Sequence, residues 1–288
     1  MKQITRYHND INTIPMRQWT GEEMNFFFGV LTQLRDEGTR LLEFNKEQLI
    51  EFANYDGRSD RFRATMESLI TKMDSLKYVE KTTHSYQIMR LFTFFRADWT
   101  EDLSDMTLKI RVSEDFEYIL NQLSINFLQF PIEEFTNLRS TYAKTMYRHI
   151  KQWSTKGVIG GFLDGEIPKE QLFIMLDVPK SMQRPSSFNA KVLKPIINEL
   201  SPLFEGLKVK PIKARKAGNP IIAYKFTWKQ EKTGTWTDDK YDTENGKLVK
   251  PAPDWSNSKP PTKASEQERK DFEAYKEARR QEKNDRNN

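Results

Sequence analysis

One stretch of this chain is written twice. Asn45-Lys46-Glu47-Gln48-Leu49-Ile50, followed by Arg61-Phe62-Arg63 and an amphipathic pattern, returns as Pro168-Lys169-Glu170-Gln171-Leu172-Phe173, followed by Ser187-Phe188-Asn189 and a second such pattern. Internal repetition of this kind implies duplicated architecture. Each copy runs short helix, Arg-bearing loop, longer helix, then alternating apolar and polar residues broken by a turn. That is the order of a helix-turn-helix followed by a two-stranded wing. A chain of 288 residues has room for two such units, each large enough to bury its own core. The expected fold is α+β: two tandem winged-helix domains, residues 1–130 and 131–230, with a flexible charged C-terminal tail over residues 231–288.

Composition removes several classes of function. No run of about 18 apolar residues occurs, and Met1-Lys2-Gln3 leads into polar sequence, so neither a membrane span nor a signal peptide is expected and the protein reads as cytoplasmic. Cysteine is absent, which excludes disulfides, iron-sulfur clusters and thiolate zinc sites. His8, His84 and His149 are scattered, so no cofactor is expected. His149 reads as a residue on the surface of its helix. Gly246-Lys247 continues into Leu248 rather than Ser or Thr, so there is no phosphate-cradling loop of the Walker type. A metal-dependent nicking enzyme would need a His-x-His pair, which is missing. Glu133-Glu134 and Asp238-Asp239 are carboxylate pairs, but neighbours on a helix face different ways. Nothing here reads as an enzyme.

Charge is distributed unevenly. Residues 1–130 hold 16 Lys and Arg against 20 Asp and Glu; residues 131–230 hold 17 against 8; residues 231–288 hold 13 against 13. Affinity for DNA scales with the basic contacts that release counterions from phosphate, so the second unit should supply most of it. The tail, with Pro251, Pro253, Pro260 and Pro261 among polar residues, carries no apolar periodicity and reads as a linker ending in at most a charged helix over 266–280.

Local signals place the elements. Thr20 followed by Glu22 and Glu23 starts a helix over 24–34, and Asn45 caps one over 46–55. Phe62, Met66, Leu69, Ile70 and Met73 recur at helical spacing. Residues 78–79 and 88–95 read as wing strands around 82–85, with a third strand at 106–112. The triplet Phe26 to Phe28 and the group Phe92, Phe94 and Phe95 could stack single-stranded bases, but their spacing fits a core better. Phe130-Pro131 marks the boundary between units, since proline disfavours helix in the residue before it. Residues 132–153 read as one long helix with Phe135, Leu138, Tyr142, Met146 and Ile150 down its apolar face and Arg139, Lys144, Arg148 and Lys151 off it. A short helix over 167–176 and a turn over 179–185 follow. Ser186 or Ser187 then caps a helix buried through Phe188, Val192, Ile196 and Leu200, which Pro195 should kink or end. Strands 207–212 and 221–228 flank a tip at 213–219.

A winged helix lays its second helix in the major groove and its wing on the backbone or minor groove. In the second unit the candidates are Gln183, Arg184, Ser186, Ser187, Asn189, Lys191 and Lys194. Arg184 suits guanine O6 and N7; Asn189 or Gln183 suits adenine N6 and N7. Lys191 and Lys194 suit phosphate. On the wing, Lys208, Lys210, Lys213, Arg215 and Lys216 place five cations within nine residues without an intervening acid. Arg58, Arg61 and Arg63 hold the matching helix start in the first unit, diluted by Asp56, Asp60 and Glu67, so that unit's contact with DNA should be weaker.

The run Phe130-Pro131-Ile132, then Phe135-Thr136-Asn137-Leu138-Arg139-Ser140-Thr141-Tyr142, resembles the opening of the second winged helix in the iteron-binding replication initiators of theta-replicating plasmids. Leu193-Lys194-Pro195-Ile196-Ile197-Asn198-Glu199-Leu200 resembles that family's recognition-helix ending, and Tyr224-Lys225-Phe226 its closing strand. The resemblance covers residues 5–230 and implies a protein that binds directly repeated double-stranded sites as a monomer, helps open the origin and recruits the host helicase machinery. It also implies a dimer joined through the first winged helix that does not fire the origin and represses its own promoter, so that copy number is controlled. It carries the base-reading role onto the helix from Ser186 to Lys194. The tail has no counterpart in the shared pattern. Two other readings remain: a winged-helix transcriptional repressor without initiator activity, and a partner-binding scaffold that does not touch DNA.

Overall fold

In the computed structural model the described residues are 3–231, apart from Pro15, Arg17, 56–58, Thr82, Leu103, Gln122, 124–126 and 216–217. Strand β1 (Ile4–His8) leads to helix α1 (Gly21–Leu34). Thr20 Oγ1 accepts the Glu23 N–H at 3.2 Å while the Glu23 carboxylate accepts the Thr20 N–H at 2.6 Å, so two donors left unpaired at the helix start are satisfied reciprocally. Phe26, Phe27 and Phe28 are fully buried, and the triplet is core. A Cβ placed on Gly29 would lie 2.8 Å from the Phe52 carbonyl oxygen, so only glycine lets α1 cross α2 this closely.

β2 (Leu42–Asn45) runs straight into α2 (Lys46–Ala53), where Asn45 and Gln48 repeat the reciprocal cap and Asn54 ends the helix in the left-handed conformation. α3 (Ser59–Asp74) buries Phe62, Met66, Leu69 and Met73 as the spacing requires. β3 (Lys77–Lys81) and β4 (Tyr86–Arg90) form a hairpin of their own, and β5 (Phe92–Trp99) and β6 (Met106–Val112) join β2 in a sheet of order β2-β6-β5. This corrects the strand assignment made from sequence. The wing of the first unit is the β5–β6 hairpin, and β3–β4 is an added hairpin between α3 and the wing. A short helix, α4 (Glu117–Leu120), leads to β7 (Phe127–Pro131), which pairs antiparallel with β1.

The expected long helix over 132–153 is broken into α5 (Ile132–Thr136) and α6 (Thr141–Gln152). The Glu199 carboxylate accepts the N–H groups of Arg139 at 2.8 Å and Ser140 at 3.1 Å, the donors a continuous helix would use, and Ser140 caps α6 by accepting from Ala143. A second correction concerns the cations of α6. Lys144, Arg148 and Lys151 are buried along with the apolar stripe, so nearly the whole circumference of α6 is interior. His149 is half-buried rather than at the surface. Burial, with the Arg148 charge beside it, pushes its imidazole down to about 3.

Beyond α6 the order of the first unit returns: β8 (Glu166–Pro168), α7 (Lys169–Met175), α8 (Pro185–Phe188), α9 (Lys194–Leu200), β9 (Lys208–Lys213) and β10 (Ile221–Thr227). The sheet order is β8-β10-β9, the same as β2-β6-β5 with the last strand in the middle. In this correspondence α1 and α6 are the first helices of the two units. A Cβ on Gly160 would fall 2.3 Å from the Trp153 ring, and Trp228 Nε1 donates to Ser154 O at 3.1 Å. The loop after α6 is thus closed against the second sheet.

Candidate nucleic-acid interface

The second helix of the helix-turn-helix in the second unit spans α8, one π turn over Asn189–Leu193, and α9. Pro195 has no N–H to offer the Lys191 carbonyl, and in an α-helix its ring would collide with it. The chain widens by one residue instead, with the Lys194 N–H bonding Asn189 O, and runs on as helix. This replaces the expected kink. The helix starts two to three residues earlier than expected, with Arg184 at the N-cap position (φ −63°, ψ 137°) and Pro185 as its first residue. Ser186 and Ser187 therefore lie in the first turn and do not cap it.

Phe188 is buried between Phe173 of α7, centroid to centroid 4.9 Å, and Tyr224 of β10 at 5.4 Å. Val192, Ile196 and Leu200 continue that buried line. The opposite face is left to solvent: Arg184, Ser186, Asn189, Lys191 and Lys194 are exposed and Ser187 half-buried. Gln183 Nε2 donates to Val178 O at 3.0 Å, so its amide closes the turn and is less available to a base. On the wing, Lys208, Lys210, Lys213 and Arg215 are exposed, and Lys216 lies outside the described residues. Among the described residues, the cations of this helix and wing form no ion pair with a carboxylate. The sequence reasoning missed two neighbours. Lys180 is exposed in the turn between α7 and α8, and Lys225 of β10 sits in register with Lys210. Lys180 was findable from its place in the turn.

The first unit differs. Arg58 lies outside the described residues. Arg61 pairs with Glu22. Arg63 bonds Glu67 at 2.8 Å and lies 5.2 Å over the Trp99 ring. Both arginines are surface-exposed but already hold a carboxylate. The wing tip carries exposed Glu101, Asp102 and Asp105, with Asp98 held by Arg96. Hydrogen bonds from Ser104 and Thr100 hold Asp102 down to about 2. Phosphate repels such a tip. Among the described residues no group of His, Asp and Glu side chains could hold a metal ion, and no helix is long and apolar enough to cross a membrane.

These features define a tandem winged-helix protein whose second unit presents an exposed cationic helix face and wing. Residues 4–151 match the first winged helix of the initiator replication proteins and residues 168–228 match the second; the chain belongs to the initiator replication protein family. It is 27% identical over 236 residues to the "Probable replication protein rep" of Bifidobacterium longum (strain NCC 2705), covering 80% of this chain and 73% of that one. Its fold is similar to that of the Pi initiator protein solved in complex with iteron DNA. That likeness has a TM-score of 0.54 at 14% identity and covers 80% of this chain and 99% of the other.

Proposed function

We propose that this initiator binds directly repeated double-stranded sites at its origin, promotes opening of the adjacent duplex and recruits host replication proteins in the cytoplasm, without catalysing a reaction itself. The second unit, residues 131–230, reads sequence through Arg184, Ser186, Ser187 and Asn189. It holds phosphate through Lys191, Lys194 and the wing cations Lys208, Lys210, Lys213, Arg215 and Lys216, and Gln183 sets the turn. The first unit, residues 1–130, adds a weaker contact through Arg58, Arg61 and Arg63. The observation that carries this is the exposed cationic helix face and wing, which among the described residues pair with no carboxylate, in a chain of the initiator replication protein family whose fold is similar to that of an initiator solved with iteron DNA.

In its repressing form the protein is a dimer joined through the first unit. The β3–β4 hairpin, added to the winged-helix plan, exposes Tyr86 and Ile88, and Ile88 lines one groove with exposed Phe94; it is the surface we assign to that contact. Autorepression and copy-number control follow from the exchange between the two forms.

Selection of bound duplexes from a random pool should return a single motif that recurs as direct repeats near the gene, with affinity falling steeply with salt. A plasmid carrying those repeats should replicate when the gene is supplied in trans. Repression without replication would leave a repressor only, and no retained duplex would sink the proposal.

A further inference from the structure

Helices α1 and α6 are the corresponding first helices of the two units, and they meet at a buried polar joint. Lys144 is fully buried. Its Nζ donates to Asn25 Oδ1 at 2.6 Å and to Phe135 O at 2.5 Å, and it lies 4.4 Å over the Phe135 ring. Asn25 Nδ2 donates onward to Ala53 O at 3.0 Å and Thr136 O at 3.2 Å. One amide thus holds the last turn of α2, the end of α5 and the ammonium of α6. On the other side, Glu199 near the end of the reading helix accepts the two N–H groups that precede α6. A continuous set of short contacts therefore runs from the reading helix of one unit to the helix-turn-helix of the other.

Apolar surfaces can slide past one another at small cost. A buried lysine amine cannot leave its acceptors without both sides losing their hydrogen bonds away from water, so these contacts oppose a change in the angle of the joint. We infer that Lys144 is a positioning residue: with Asn25 it fixes the angle between the two winged helices and so the separation of the DNA segments that both can contact at once. This rests on the reading that both units meet one duplex. Two linked units gain from effective concentration only where the geometry lets both engage, so a fixed angle becomes selectivity for spacing, separate from selectivity for bases.

The test uses the full chain, whose lack of cysteine permits spin labels at Glu47→Cys on α2 and Glu170→Cys on α7. Lys144→Met nearly keeps the volume and removes the donor to Asn25 Oδ1 and Phe135 O, at a cost in stability; Lys144→Gln, which keeps a donor, serves if the Met variant does not fold. Electron–electron distance measurement should give one narrow separation in the parent and a broad one in the variant. On duplexes whose two footprinted segments are moved apart by one to three base pairs, the parent should lose about tenfold or more in affinity and the variant only about threefold, with base preference unchanged. A role in stability alone would lower the melting temperature and weaken every spacing equally. A narrow separation in the folded variant, or a flat spacing profile in the parent, overturns the inference. If the parent binds no duplex, the functional reading fails and the distance measurement still decides the joint.

Discussion

Arg184 and Lys213 are both exposed cations of the second unit, yet they should fail differently. Replacing Arg184 or Asn189 by Ala removes a side chain suited to paired bonds with one base, which should cost about 1–3 kcal/mol at that position and relax preference there. Lys213→Ala or Arg215→Ala should weaken all sequences alike and make the salt dependence shallower. Binding to a panel of mutated sites separates the two, and identical selectivity profiles would show that the wrong helix had been assigned.

Buried titratable groups make a second residue-scale prediction. Burial pushes Lys144 down to about 7, with the Glu199 charge acting the other way. The unfolded lysine ionises near 10.5, so between these values the unfolded state binds the extra proton and stability rises with pH. The parent should gain in melting temperature between pH 7 and pH 9, and Lys144→Met should gain less. Glu23 behaves in the opposite sense. Burial would raise its carboxyl, but hydrogen bonds from Lys72 at 2.5 Å, Ser68 and the Thr20 backbone outweigh that and hold it low. Its contribution is complete above the ordinary carboxylate range near 4.5 and is lost as pH falls through the folded value. Glu23→Gln should therefore flatten the acid side of the stability profile, read by urea unfolding between pH 3 and pH 6.

At the scale of elements, what was legible in the sequence was local. The caps at Thr20 and Asn45 satisfy donors three residues away, so a window of four residues contains the whole cause. The buried line Phe188, Val192, Ile196 and Leu200 was readable for the same reason. The helix break at 137–140 was not, because its cause, Glu199, lies some sixty positions downstream. The first wing was misplaced because β6 pairs with β2 across the whole helix-turn-helix, and alternation alone does not tell a wing from an added hairpin. Exposure of the cations in the second unit was legible, whereas the carboxylate partners of Arg61 and Arg63 were only hinted at by nearby acids. Pro195 was seen but its effect was not: the π turn absorbs it. Pro195→Ala should allow an ordinary helix, raise stability by about 1 kcal/mol or more, and rotate Asn189 and Lys191 relative to α9. Calorimetry with the same panel of sites would read both effects, and unchanged base preference would show that the π turn does not set the presentation of the helix.

For the molecule as a whole, the two units have one architecture and opposite electrostatics. The first wing tip exposes Glu101, Asp102 and Asp105, which repel phosphate, whereas the wing from Lys208 to Arg215 exposes cations. Reversing two of the acids, Glu101→Lys with Asp102→Lys, should raise affinity for any duplex and steepen its salt slope by about 1–2. An unchanged slope in a salt titration would mean that this hairpin never approaches the backbone.

The buried cations of α6 also bear on dissection of the chain. Lys144 leans on Asn25, and Arg148 on Ile11 O, Asn12 and the Phe28 ring, all of which belong to the N-terminal half. A fragment beginning at residue 131 would bare both side chains to water, where both carry charge. Such a piece would cling to polyanions indiscriminately, and its apparent affinity would overstate what the intact initiator brings to its origin.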